Sequence, residues 1–264
     1  AFMLHWHEKA QTLTTFDGRE TAPAAATTDM FLDKAGRTMP WIKAVVGGHS
    51  VGVPGVLASL KKAHDKYGKL PWSILFNDAI KLAEDGFIVS PRLEKLVAME
   101  FNPGIKKLPA IKNYFFPHGK AIKAGQRLHN PKLAAVYRSI AKDGIKAFYQ
   151  GWIANKIVAA VQDSPIAPGR LSLADMKNYR AKELPAVCGP YREYQVCGMA
   201  PPSSGGVAII QILGQLEKFD LAKLSIADAE FAHLFSQSSR LAFADRNRYI
   251  ADSSFVNVPT EGLI

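Results

Sequence analysis

Proline and glycine cut the middle of this chain into helix-length pieces, and that punctuation limits the folds open to it. Pro54 and Gly68 bracket one piece, with apolar residues at Val53, Val56, Leu57, Leu60 and Tyr67. Pro71 and Gly86 bracket the next, and the helical period predicts that Leu75, Phe76, Ala79, Ile80 and Ala83 face inward. Ser90-Pro91 opens a third helix, and Asn130-Pro131 a fourth that ends near Gly144. In both, a capping side chain precedes a proline suited to the first helical position. Residues 145–162 continue helical, with Ile153, Ile157, Val158 and Val161 on one face. Ser172-Leu-Ala-Asp175 and Ser225-Ile-Ala-Asp228 read as capping boxes. Further helices are predicted from about Gly205 to Lys218 and from Ile226 to about Ile250.

Strand signals flank this helical run. Residues 1–7 alternate weakly and Thr12–Phe16 is β-branched and aromatic, so with the polar bend between them they read as a hairpin. A second hairpin spans Cys188 to Cys197 and turns at Arg192 and Glu193. The two cysteines are symmetric about that turn and should face each other across the ladder. Reduced thiols packed side by side are the expectation, with a disulfide in an oxidising compartment as the alternative. The order of strand pair, helices, strand pair and helices points to an α+β or layered α/β fold and away from regular βαβ alternation.

Composition narrows function by exclusion. No apolar run approaches the roughly 20 residues of a membrane helix. The net charge of +10 raises the question of nucleic acid. But the lysines are scattered, with no basic block or aromatic–basic pattern, so a solvated basic surface is expected. The opening AFMLHWH already lies in a strand, and TEGLI closes without a finishing element. The chain therefore reads as a segment of a longer polypeptide, a single incomplete domain over residues 1–264.

Arg19 is the outstanding candidate. It sits between Gly18 and Glu20, directly after a strand, with Pro23 and a run of small residues behind it. A guanidinium fork can grip a carboxylate with two parallel hydrogen bonds. Gly18 would grant a backbone conformation that a Cβ forbids, and Asp17 and Glu20 could steady the side chain. A structural ion pair is the commoner fate of such an arginine. Pro201-Pro202-Ser203-Ser204-Gly205-Gly206 could hold an anion at a helix N-terminus or permit close strand–helix packing. It is neither a dinucleotide fingerprint nor a Walker loop. Gly47-Gly48-His49, with Gly52 and Gly55, reads as a loop. His5 and His7 share a strand face, but no cysteine or acid stands at metal-ligand spacing, and a surface role is expected. No nucleophile elbow or zinc-protease motif is present.

Four motifs then occur in order: DGRETAPAAAT from Asp17, SVGVPG from Ser50, APPSSGG from Ala200 and AFADRNRYIAD from Ala242. Together they closely resemble the γ-glutamyltranspeptidase (glutathione hydrolase) family over essentially the whole chain. The resemblance implies an α+β, layered αββα N-terminal nucleophile hydrolase sandwich, of which this is the helix-rich large-subunit portion, lacking its first part and the small subunit. It implies a precursor that cuts itself and exposes a nucleophilic Thr, which can use its own α-amine as base. That Thr is expected downstream of Ile264, on the small subunit, so no catalytic residue is assigned here and the segment alone is expected to be inactive. Arg19 matches the arginine that binds the α-carboxylate of the γ-glutamyl group. Expected partners are the small subunit, γ-glutamyl compounds such as glutathione, and amino-acid or peptide acceptors, with no cofactor, metal, nucleic acid or membrane span. The expected location is periplasmic or secreted. Glu193 departs from the glycine that relatives often carry at that turn. A cephalosporin (glutaryl) acylase of the same family fits Arg19 equally, and an inactive scaffold relative is the non-enzymatic alternative.

Overall fold

Residues 1–264 are described by a computed structural model. The first hairpin forms as expected. β1 (Phe2–His7) and β2 (Thr12–Asp17) pair antiparallel from Phe2↔Asp17 to His7↔Thr12. A 3₁₀ turn over Glu8–Ala10 joins them, and Ala10 N–H donates to His7 Nδ1 at 3.1 Å. β2 is buried on both faces from Thr14 onward, and Phe16 is wholly enclosed. The backbone divides into two units, Gly18–Arg180 and a second made of Ala1–Asp17 with Ala181–Ile264.

The unit Gly18–Arg180 is mostly helical. Its helices are α1 (Trp41–Ala44), α2 (Val56–Tyr67), α3 (Asn77–Asp85), α4 (Pro91–Ala98), α5 (Pro109–Phe115), α6 (Pro131–Asp143), α7 (Ile145–Gln150), α8 (Trp152–Gln162) and α9 (Leu173–Asn178). The two-residue strands β3 (Phe87–Ile88) and β4 (Arg127–Leu128) pair antiparallel. The caps read from the sequence are made. Leu93 N–H donates to Ser90 Oγ at 3.2 Å and Leu133 N–H to Asn130 Oδ1 at 3.0 Å. Ser172 and Asp175 close a full capping box on α9. Gly144 ends α6 at φ +69°, and the predicted helix over 145–162 is broken at Gly151 into α7 and α8. Two apolar cores result, one around Val89, Val97, Phe116 and Ile122, the other around Ile140, Ala147 and Ile153.

The helix predicted after Pro71 is the main exception here. Trp72–Phe76 is a 3₁₀ segment, and Leu75 is 49% exposed instead of inward. Three residues per turn replace 3.6, so an inward face projected from Pro71 loses phase within one turn. Ala83, further along, is buried as expected.

In the other unit, β5 (Lys182–Leu184) adds to β2 antiparallel, giving a sheet of order β1-β2-β5. The predicted second hairpin is β6 (Val187–Tyr191) with β7 (Tyr194–Gly198), in the register Cys188↔Cys197. That register brings the two Cα atoms to 4.1 Å, and the sulfurs are bonded, so a disulfide replaces the expected reduced pair. α10 (Gly205–Leu216) lies on this hairpin through Val187, Val207 and Ile210, and α11 (Ala229–Tyr249) packs against α10. α11 starts three residues later than predicted. Ser225 N–H donates to Asp228 Oδ2 at 2.8 Å and Ala227 N–H to Ser225 Oγ at 3.2 Å. These local turns compete with helix, and Asp228 becomes the N-cap. The architecture is α+β: helices with small antiparallel sheets.

Candidate functional site

The chain leaves β2 at Asp17 and runs directly into Gly18-Arg19-Glu20-Thr21. Within the helical unit this segment lies against residues 52–55, ahead of α2. Thr21 and Val53 form an antiparallel bridge, with Val53 N–H donating to Thr21 O at 2.8 Å. Glycine stands where the two segments approach most closely, at Gly18 in the first and at Gly52 and Gly55 in the second. A Cβ on Gly18 would lie 2.3 Å from Ser59 Oγ and 2.8 Å from Gly55 O. A Cβ on Gly55 would lie 2.1 Å from the Tyr179 hydroxyl and 2.4 Å from Gly18 O. Gly18 does not have a left-handed φ. It serves close approach, not the unusual backbone conformation that the sequence suggested.

Two tyrosines fasten these segments. Tyr149 comes from α7 and Tyr179 caps the C-terminus of α9. Their rings are parallel within 5°, with centroids 5.9 Å apart, an offset stack. Tyr179 donates its hydroxyl to Arg19 O at 2.7 Å, and Tyr149 donates to Pro54 O at 2.7 Å. Both rings are buried. Burial pushes the Tyr149 phenol up to about 12, against a smaller opposing effect of a backbone hydrogen bond at Ala58.

The arginine's backbone is thus fixed while its tip is reachable. The Arg19 side chain is 48% exposed, and its Nε lies 3.8 Å from Glu20 Oε1. An exposed pair at that distance contributes about 0–1 kcal/mol. The small-residue run behind it is tethered too. Ala24 N–H donates to Asp175 Oδ1 at 2.9 Å and Arg170 Nη1 to Ala25 O at 3.1 Å. Burial raises the Asp175 carboxyl, but hydrogen bonds from Ala24 N–H and from the Ser172 hydroxyl and N–H outweigh it. The net effect holds Asp175 below its ordinary value. Chemically, the arrangement offers a positioned, solvent-reachable cation suited to an anionic ligand.

The remaining candidates resolve into structural roles. A Cβ on Gly206 would lie 2.7 Å from Met199 O, and one on Gly198 would lie 2.4 Å from Gly206 Cα. Gly206 of PPSSGG therefore serves close strand–helix packing against Gly198 and Met199. Ser203 Oγ accepts from Gly205 N–H at 3.3 Å, and Ser204 Oγ accepts from Arg246 Nε at 3.2 Å. The second bond joins two of the sequence motifs. Gly47, Gly48, Gly52 and Gly55 lie in a loop. The His5 and His7 rings are 6.4 Å apart, and no three His, Cys, Asp or Glu side chains converge as metal ligands. Sequence reading missed Tyr149, Tyr179 and Ser59. Tyr179 lies 160 residues from Arg19, and no local pattern announces such a contact.

A sequence model described as Gamma-glutamyltranspeptidase matches residues 1–264. The chain is 39% identical over 266 residues to a glutathione hydrolase proenzyme of Escherichia coli K12, covering 99% of this chain and 44% of that protein. It is 36% identical over 255 residues to an acylase ACY 1 proenzyme of Pseudomonas sp. SE83, covering 94% of this chain and 45% of that protein. It thus spans less than half the length of these relatives. The crystal structure of Helicobacter pylori γ-glutamyltranspeptidase superposes with a TM-score of 0.94 at 34% identity, over 100% of this chain and 74% of that one.

Proposed function

The chain belongs to the γ-glutamyltranspeptidase family, and from that premise we propose that it is most of the large subunit of an enzyme that transfers and hydrolyses γ-glutamyl groups, in which Arg19 binds the substrate's α-carboxylate. The observation that carries the reading is the pinned backbone and half-exposed guanidinium of Arg19. A bidentate contact there holds the far end of the glutamyl chain and sets where its γ-carbonyl lies, which is a positioning contribution.

The nucleophile in this reading is a Thr at the new N-terminus of a small subunit, cut from the same precursor beyond Ile264. Its hydroxyl oxygen adds to the γ-carbonyl while its proton passes to a base, the α-amine. The amine product departs with a proton, leaving a γ-glutamyl ester on the Thr. Water then releases glutamate, or an amino-acid or peptide amine takes the γ-glutamyl group. The apolar side chains exposed on the second unit, Ile226, Phe235, Leu241, Phe243 and Phe255, are compatible with a covering subunit. A periplasmic or secreted location fits the Cys188–Cys197 disulfide. No helix is long and apolar enough to cross a membrane.

In the complete protein, Arg19→Lys is expected to raise KM for a γ-glutamyl anilide about tenfold. It keeps the charge but loses one charge-assisted hydrogen bond. Unchanged KM and kcat refute the assignment. Intact mass in the same preparation is expected to resolve two chains, the smaller beginning with Thr; a single uncut chain contradicts the mechanism. The likeness to an acylase proenzyme supports a second reading, removal of a glutaryl group, which keeps the carboxylate for Arg19 but lacks the α-amine. A glutaryl anilide turned over faster than the γ-glutamyl one would favour it.

A further inference from the structure

We propose that Tyr179 is a positioning residue for Arg19, holding the arginine's backbone so that the guanidinium meets an incoming carboxylate at a fixed place. This rests on the carboxylate-binding reading of Arg19. The Tyr179 hydroxyl donates to the carbonyl of Arg19 itself, so the anchor acts at the residue that carries the cation. The phenol fills a notch that exists because Gly55 has no Cβ, and the Gly18 carbonyl lines the same notch. Ring position is constrained on the other side by Tyr149, whose own hydroxyl is committed to Pro54 O. Downstream, the Thr21–Val53 bridge holds the segment two residues on.

Arg19 is thereby held at its own carbonyl and again two residues downstream. The Glu20 contact is long and exposed. A long side chain loses rotamer freedom when it binds, so an anchored root leaves less to be ordered by the ligand. Removing the Tyr179 hydroxyl releases the carbonyl without altering the guanidinium, and the loss should appear in donor binding and not in the chemical step.

The test uses the processed two-subunit enzyme and a γ-glutamyl anilide. It compares wild type, Tyr179→Phe, Arg19→Lys, the double variant and Tyr149→Phe, with the Tm of each. Tyr179→Phe is expected to raise KM about three- to tenfold, the value of one hydrogen bond, with kcat within about twofold. In the double variant the two KM effects should not multiply, because both act on one contact. Tyr149→Phe keeps the stacked ring and the Tyr179–Arg19 bond, so it should lower Tm while raising KM clearly less than Tyr179→Phe does. Equal KM effects in the two Phe variants, or multiplying effects in the double variant, overturn the proposal. If Arg19→Lys raises KM and Tyr179→Phe does not, the positioning role alone fails. If Arg19→Lys leaves KM unchanged, the reading of Arg19 fails beneath it.

Discussion

Gly55 shows how much of this site is decided by single atoms. The nearest neighbours of a Cβ there are the Tyr179 oxygen at 2.1 Å and the backbone oxygen of Gly18 at 2.4 Å. A ring can tilt, but a backbone carbonyl held by neighbouring bonds cannot move away cheaply. Gly55→Ala is therefore expected to destabilise the protein by about 1–3 kcal/mol, as overpacking does. Thermal unfolding reads this out as a lowered Tm, and an unaltered Tm would contradict it. Arg19 and Gly18 were both conspicuous in the sequence, since an arginine between a strand and a run of small residues suits neither core nor helix surface. The purpose of Gly18 was misjudged because a glycine needed for a left-handed φ and one needed for contact look identical in one dimension. The tyrosine that holds Arg19 was not legible at all.

Elements with local signals formed where those signals placed them. Ser90-Pro91, Asn130-Pro131 and the Ser172–Asp175 box all start helices, because a cap satisfies N–H groups within a few residues of itself. Signals that compete locally were misread, as at Ser225–Asp228 and in the 3₁₀ turn after Pro71. β5 had no signal of its own. Lys182–Leu184 is three residues long and becomes a strand only because β2 is there to pair with it. The β6–β7 hairpin makes an element-scale prediction. Its disulfide closes a loop of about ten residues, worth about 2–3 kcal/mol in the chain-entropy account. Reductant, or paired Cys188→Ser and Cys197→Ser substitutions, should lower Tm accordingly. Alkylation of the denatured protein without reductant should leave both cysteines unlabelled; labelling of both would restore the reduced pair.

At the scale of the whole molecule, buried phenols couple stability to alkaline pH. The Tyr149 pKa is pushed up to about 12 in the folded protein, whereas an unfolded tyrosine ionises near 10. Between those values the unfolded chain binds fewer protons, so unfolding becomes easier as pH rises. The contribution is fully present below about pH 10 and falls by about 2–3 kcal/mol as pH approaches 12. Denaturant midpoints measured from pH 9 to 12 should show this decline. Tyr149→Phe, less stable at neutral pH, should show a flatter one, and parallel curves would exclude the phenol as its source.

The sequence by itself determined the family through four ordered motifs, the helix starts through their caps, the two hairpins, and the arginine that stands out. Each is written in residues a few positions apart, or in side-chain chemistry that no fold alters. Only tertiary structure decided why Gly18 and Gly55 carry no side chain, where β5 pairs, which side chains of the 72–76 segment pack against the core, and how Tyr179 reaches Arg19. Those depend on backbones brought within a few ångströms across as many as 160 residues, and the energy of such a contact resides in neither partner alone.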